Sequence, residues 1–208
     1  MQIIEVNPEN PDISVIQKAA KLIQRGDLIA FPTETVYGLG SDGTSPEPIR
    51  KIYEAKGRPE SKPILLLIDH LSWLDQLVFD IPKRAWHLMD AFWPGPLTLT
   101  FQATSRVPKE LLGGGTTIGI RQTASPIAQA LCKYSNLPIT APSANLTGNP
   151  DPLTADAVRK DLGKKVGMIL DGGQTNTPTL STIIDVTKEI PYLIRPGQVS
   201  FEDILNLW

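Results

Sequence analysis

Apolar residues at Val15, Ile16, Ala19, Ala20, Leu22 and Ile23 recur at the spacing of one helix face. They predict a helix over 14–24, capped by Asp12 or Ser14 and stopped by Gly26. Residues 28–31, Leu-Ile-Ala-Phe, follow as a short buried strand ended by Pro32. Ile49, Ile52 and Tyr53 mark one face of a short helix over 48–55, and the apolar run 64–68 reads as a second buried strand. Helical patterns start near Ser72 and over 82–92, the latter broken by Trp93-Pro94-Gly95-Pro96. Apolar residues and Thr alternate over 97–101, the pattern of a half-buried strand. Further strands are predicted at 116–121, 137–141, 166–170, 182–186 and 192–194, with helices at 126–134, at 155–162 after Thr154, and after a Ser200 cap. Strands and helices mix along the whole chain without a repeat or a linker. The order is too irregular for strict double winding, which predicts one α/β domain over 1–208 with a mixed sheet.

Composition narrows the function classes. The 208 residues carry a formal net charge of -2, which argues against a broad nucleic-acid surface and leaves room for a local basic pocket. No apolar run approaches the roughly 20 residues of a membrane helix, and the first residues lack a signal-peptide layout. The single cysteine, Cys132, excludes an intrachain disulfide framework and reads as core packing, and His70 and His87 are not spaced as zinc ligands. Cytoplasm is the expected compartment. There is no GxxxxGK[ST] and no GxGxxG.

Candidate chemistry gathers where predicted elements give way to loops. The turn 56–63, Lys-Gly-Arg-Pro-Glu-Ser-Lys-Pro, carries Lys56, Arg58 and Lys62 between a helix end and a core strand. Such a cluster suits an anionic ligand, although a charge run also reads as a solvated turn. Thr33 and Thr35 sit in a polar loop over 32–40; Arg121, Ser143, Asn145, Ser181 and Arg195 lie at other strand ends. Together they imply an anion-binding pocket with several arginines and hydroxyls. No Ser-His-Asp or Cys-His set is assembled, so chemistry here depends on positioning and charge neutralisation.

The segments PTETVYGLG (32–40), KGRPESKP (56–63), FWPGPLT (92–98), TIGIR (117–121), APSANLTG (141–148), LDGG (170–173), STIIDV (181–186) and IRPG (194–197) resemble, in order, those of the YrdC/TsaC family of L-threonylcarbamoyladenylate synthases. The resemblance implies one α/β domain with a twisted mixed parallel and antiparallel sheet flanked by helices and a large concave positive cavity. It implies condensation of L-threonine, bicarbonate or CO2, and ATP to threonylcarbamoyl-AMP, for the threonylcarbamoyl modification of the adenosine beside the tRNA anticodon. By the same resemblance Lys56 and Arg58 are catalytic. Arg58, Lys62, Thr117, Ser143, Asp151 and Arg195 contact ATP, Asp151 through its backbone. Thr33, Thr35, Arg121, Ser181 and the backbone at Ala141 form the threonine pocket, and Asn145 braces the Ser143 loop. Mg2+ is expected with ATP, held by the phosphate oxygens rather than by a dedicated metal site. RNA contact and the downstream tRNA threonylcarbamoyl transferase machinery are the implied partners, with no membrane.

Three departures bear on the pocket: Lys62 where many members have Asn, Leu67 where some have His, and Thr123 where some have Pro. Longer relatives close the pocket with the linker to a further domain; in the sequence ending at Trp208, the loop 172–180 is the candidate cover, its Thr-, Asn- and Pro-rich part at 174–180 expected to be mobile. Two other readings fit the same fold: an RNA-binding module without synthase activity, and a paralogue that makes another carbamoyl adenylate.

Overall fold

The structure, a computed structural model, describes residues 1–175 and 179–208; positions 176–178, part of the segment expected to be mobile, lie outside them. Helix α1 (Ile13–Gln24) starts where the Asp12 carboxylate accepts from the Ser14 N–H at 2.7 Å, and buries Ile16, Ala19, Ala20 and Ile23. Helix α5 (Pro126–Ser135) has Ser125 as its cap and ends at Asn136 in the left-handed region. The two pack on each other and on strands β2 (Ile29–Pro32) and β4 (Leu66–Ile68). Their shared core holds Phe31, Leu67, Ile127, Leu131, Cys132 and Ile139.

The opposite core takes helices α2 (Pro46–Lys56), α4 (Lys83–Phe92), α6 (Ala155–Leu162) and α7 (Phe201–Leu207). Strands covered on both faces carry continuous apolar runs, which is why 28–31 and 64–68 do not alternate. The pattern near Ser72 folds only as a 3-10 turn, Leu71–Trp73, and the one-turn α3 (Leu74–Leu77).

The strands divide between two mixed sheets. One runs β1 (Gln2–Glu5), β8 (Met168–Asp171), β2, β3 (Tyr37–Gly40). The other runs β10 (Tyr192–Arg195), β9 (Thr182–Asp185), β5 (Leu97–Gln102), β6 (Thr117–Gln122), β4, β7 (Ile139–Thr140). Hydrogen bonds stitch β3 to the β7 segment: Leu39 N–H to Pro142 O at 2.8 Å, Thr140 N–H to Ser41 O at 3.1 Å, and Ala144 N–H to Tyr37 O at 2.8 Å. The mixed α/β class expected from the sequence is therefore present, with the strands shared between two joined sheets.

Two sequence expectations change here. Residues 32–40 are not wholly a loop: Tyr37–Gly40 is a buried strand antiparallel to β2. Its glycines lie against the Phe31 ring, and a Cβ built on Gly40 would come within 2.5 Å of Phe31 Cε1. Their smallness serves ring packing within a hairpin. Strand β5 is not half-exposed either, for every residue but Gln102 is buried. Its Thr face meets a concavity, described next. Strand β1, a largely exposed edge strand, gives no hydrophobic pattern and was not predicted. No helix among the described residues is long and apolar enough to cross a membrane.

Candidate functional site

Side chains alternate across a strand, so one face of β6 presents Ile118 and Ile120 to the core and the other presents Thr117, Gly119 and Arg121. β5 pairs with β6 in a register that sets Thr100 opposite Gly119. Thr98 and Thr100 thus share the face of Arg121, as do Ser181 and Ile183 from the adjoining β9 segment. Helices α1 and α5 cover the β2 and β4 part of this face; beyond them lies a cavity of about 220 Å³. Gly119 keeps its floor open, because a Cβ there would meet Leu65 Cβ and Thr98 Cγ2, both at 3.4 Å.

Three loops complete the walls. The β2–β3 hairpin brings Thr33, Thr35, Val36 and Gly38; the segment after β7 brings Ala141, Pro142 and Ser143; the turn after α2 brings Arg58, Pro63 and Ile64. Arg195 and Ile194 close the β10 side. Arg58, Arg121 and Arg195 are the charged residues of the lining, and no carboxylate lines it among the described residues. The arginines feel one another: burial first, then Arg121, lowers the pKa of the Arg195 guanidinium. Burial also lowers that of Arg58. An anion entering the cavity relieves this crowding.

Each arginine is held differently. Arg58 Nε and Nη2 donate to the carbonyls of Lys62 and Pro63 at 3.2 and 2.8 Å, folding the basic turn around itself. Arg195 Nη2 donates to Ser181 O at 2.8 Å and to Ser181 Oγ at 3.0 Å. Arg121 is only 3% exposed, and its side-chain Nε has no hydrogen-bond partner among the described residues. Its Nε lies 3.7 Å from Glu34 Oε1, and both atoms are buried without a hydrogen-bond partner. The other carboxylate oxygen of Glu34 accepts from Thr123 Oγ1 at 2.6 Å. Thr33 Oγ1 donates to Val36 O at 2.7 Å, so its 2.9 Å contact with Thr35 Oγ1 requires Thr35 to donate. Thr35 thereby turns lone pairs toward the cavity.

The predicted residues separate into two groups. Thr33, Thr35, Arg58, Thr117, Arg121, Ala141, Ser143, Ser181 and Arg195 meet in the cavity lining. Lys56, Lys62, Asp151 and Asn145 do not. Lys62 is exposed. Leu67 is fully buried in the core beneath α5, so the wall residue of that strand segment is Leu65. Asp151 stays outside the lining, although its charge supports the protonated forms of Lys56 and Arg195.

Lys56, expected as a cation acting on the ligand, is 2% exposed and off the cavity. The reason is local. Lys56 ends α2, and Gly57 in the left-handed region turns the chain, so Arg58 leaves the helix toward the cavity while Lys56 stays on it. The Lys56 ammonium donates to Ser143 O, to Asn145 O at 2.7 Å and to Asn145 Oδ1 at 3.0 Å. Residues missed from the sequence are Thr98, Thr100, Gly119 and Glu34. For the first three a signal existed: the non-apolar positions of β5 and β6 share the parity that brings Arg121 to the cavity.

The threonylcarbamoyl-AMP synthase of Pyrococcus abyssi is 43% identical over 91% of this chain and 56% of its own length. That of Bacillus subtilis is 41% identical over 96% and 57%, and that of Vibrio campbellii 34% identical over 87% and 98%. This chain thus spans little more than half the length of the first two. Among solved structures, P. abyssi Sua5 complexed with L-threonine superposes with a TM-score of 0.96 at 42% identity, over 100% of this chain and 61% of that one. Escherichia coli YciO superposes at 0.89 with 29% identity, over 98% and 99%. A family model described as telomere recombination, for Sua5, YciO and YrdC proteins, matches residues 21–197. The chain that builds this arginine-lined cavity belongs to the Sua5/YciO/YrdC family.

Proposed function

We propose that this chain carries L-threonylcarbamoyladenylate synthase activity. The observation that carries the reading is the meeting of Arg58, Arg121 and Arg195 with seven hydroxyl-bearing residues in one cavity without a carboxylate in its lining. The relatives named threonylcarbamoyl-AMP synthase support it. In the proposed reaction the threonine amine takes up CO2 from bicarbonate, giving a carbamate and water. A carbamate oxygen attacks the α-phosphorus of ATP, and the bond to the bridging oxygen breaks to release pyrophosphate. Both partners are anions, so the site's work is to neutralise charge and hold the reacting atoms in line.

Arg121 is proposed to take the threonine carboxylate, since its guanidinium lines the cavity with Nε unpartnered and offers the fork that a carboxylate completes. Thr33, Thr35, Ser181 and the Ala141 backbone line the same pocket. Arg58 and Arg195, at other walls, are proposed to meet the phosphates, with Thr117 and Ser143 beside them. The cavity volume of about 220 Å³ suits the amino acid and the reacting phosphate; drug-sized ligands fill roughly 300–1,000 Å³, so the nucleoside extends beyond it. For Mg2+ the lining offers no carboxylate, and the described residues contain no cluster of three His, Cys, Asp or Glu. The protein donors do not fit a dedicated ion site, and an ion arriving with ATP is part of the substrate.

Incubating the chain with ATP, bicarbonate and each amino acid in turn, followed by pyrophosphate assay, tests the reading. Threonine-dependent release is expected. Release with another amino acid alone would favour the paralogue, and salt-dependent RNA affinity without turnover would favour the RNA-binding module.

A further inference from the structure

The Arg58 guanidinium is aimed by two carbonyls of its own turn, those of Lys62 and Pro63. The Lys62 carbonyl is held in turn by Tyr53, in the last turn of α2, which grips the basic turn at both ends. Its carbonyl accepts the Arg58 N–H at 2.9 Å, closing the helix past Gly57, whose φ is +58°. Its hydroxyl lies 3.0 Å from Lys62 O and 2.7 Å from Glu110 O. Carbonyl oxygens only accept, so the single phenolic proton is shared between the two. It ties the basic turn to the 3-10 turn Lys109–Leu111 that precedes β6. Burial raises the pKa of the Tyr53 hydroxyl, so it stays a donor at neutral pH. Two further contacts close the same seam. Ile64 N–H donates to Leu111 O at 2.9 Å. Gly113, at φ +61°, packs so tightly on the turn that a Cβ there would come within 2.8 Å of Ser61 O and of Pro63 N.

We infer that Tyr53 is a positioning residue for Arg58: its hydroxyl fixes the Lys62 carbonyl that aims the guanidinium into the cavity, and so sets how tightly the anionic end of the ligand is held. Tyr53 itself does not line the cavity. A guanidinium has five N–H donors, and the two spent on Lys62 O and Pro63 O leave three for an anion. Holding the fork in place beforehand spares the ligand the cost of ordering a long side chain. In the sequence Tyr53 counts only as part of an apolar helix face with Ile49 and Ile52, and a ring alone would satisfy that pattern. The hydroxyl adds a bond to a carbonyl nine residues further on.

The inference rests on the proposed place of Arg58 at the phosphates, and Tyr53→Phe tests it by removing the hydroxyl and keeping the ring. The KM for ATP is expected to rise about fivefold or more, with that for threonine within about twofold of the wild type. In the background of Arg58→Lys, which keeps the charge and loses the fork, the same change should add less than about twofold, because the hydroxyl acts through the guanidinium. An unchanged KM for ATP, equal rises for both substrates, or effects that multiply with Arg58→Lys would each overturn the inference. A second readout needs no turnover. The Arg58 Nε–H proton, seen by 15N NMR, should exchange slowly with water in the wild type and about fivefold faster in Tyr53→Phe. Equal exchange rates would sink the inference even in a chain that makes the adenylate. Absence of turnover with every amino acid would instead remove the synthase reading, and the exchange rates would then decide whether Tyr53 holds Arg58.

Discussion

Arg121 and Lys56 are both buried cations, 3% and 2% exposed, held by opposite means. Lys56 gives its protons to three acceptors of one loop. Arg121 Nε has no hydrogen-bond partner among the described residues, and the Glu34 carboxylate stands back from it at 3.7 Å. Buried polar groups are normally satisfied, and an exception calls for a reason. The Lys56 donors are satisfied within the fold, and Arg121 Nε is not. A basic motif in the sequence marks both kinds of residue alike, and only the fold separates a cation off the cavity from one that lines it.

This contrast is open to attack by mutation, starting with the largest effect. Arg121→Ala is expected to lower threonine-dependent kcat/KM by about 100-fold or more, because a buried charge partner is lost. Its circular dichroism spectrum should remain that of the wild type. Wild-type turnover would remove Arg121 from the site. For stability the order reverses. Lys56→Met strands buried carbonyl acceptors and is expected to cost about 3 kcal/mol in denaturant unfolding, whereas Arg121→Met costs less than about 1 kcal/mol. Equal costs would dissolve the distinction drawn here.

Smaller effects sharpen it. Glu34→Gln removes the charge behind Arg121 and should raise the KM for threonine about tenfold with little change in that for ATP. A parallel rise in both would point to general misfolding of the hairpin. The Lys56 ammonium is held down to about 8, by burial first and then by Arg58, against the support of Asp151 and Asp161. Its proton is lost as the pH rises through that value, leaving two N–H groups for three acceptors. The pH profile of kcat/KM should fall above about 8 in the wild type, and Lys56→Met should lack that limb. The mildest change is Thr123→Pro, which deletes the hydrogen bond to Glu34 and should weaken threonine binding in calorimetry by a factor of about 5.

Much of the candidate site was legible because its residues stand at the ends of patterned elements. Arg121 follows an apolar alternation, Ser143 follows a strand ended by Pro142, and Arg58 follows a helix stopped by glycine. Thr98 and Thr100 were read only as part of a half-buried strand, because a polar strand face looks the same whether it meets water or a concavity. Tyr37–Gly40 was read as loop because glycine signals a turn locally, and nothing local reveals that the Phe31 ring occupies the space. Leu67 drew attention as a departure from relatives, yet the strand parity buries it under α5.

The order of residues along the chain determined the mixed α/β class, the caps, most element positions and the types of group available to a ligand, since periodicity, propensity and hydrogen-bonding capacity are local properties. Tertiary structure alone decided which cations share a cavity and which donors are already spent. Those outcomes depend on how β3 meets β7 and how β5 registers on β6. Such contacts join residues distant in sequence, and their geometry is set by packing that no local pattern records.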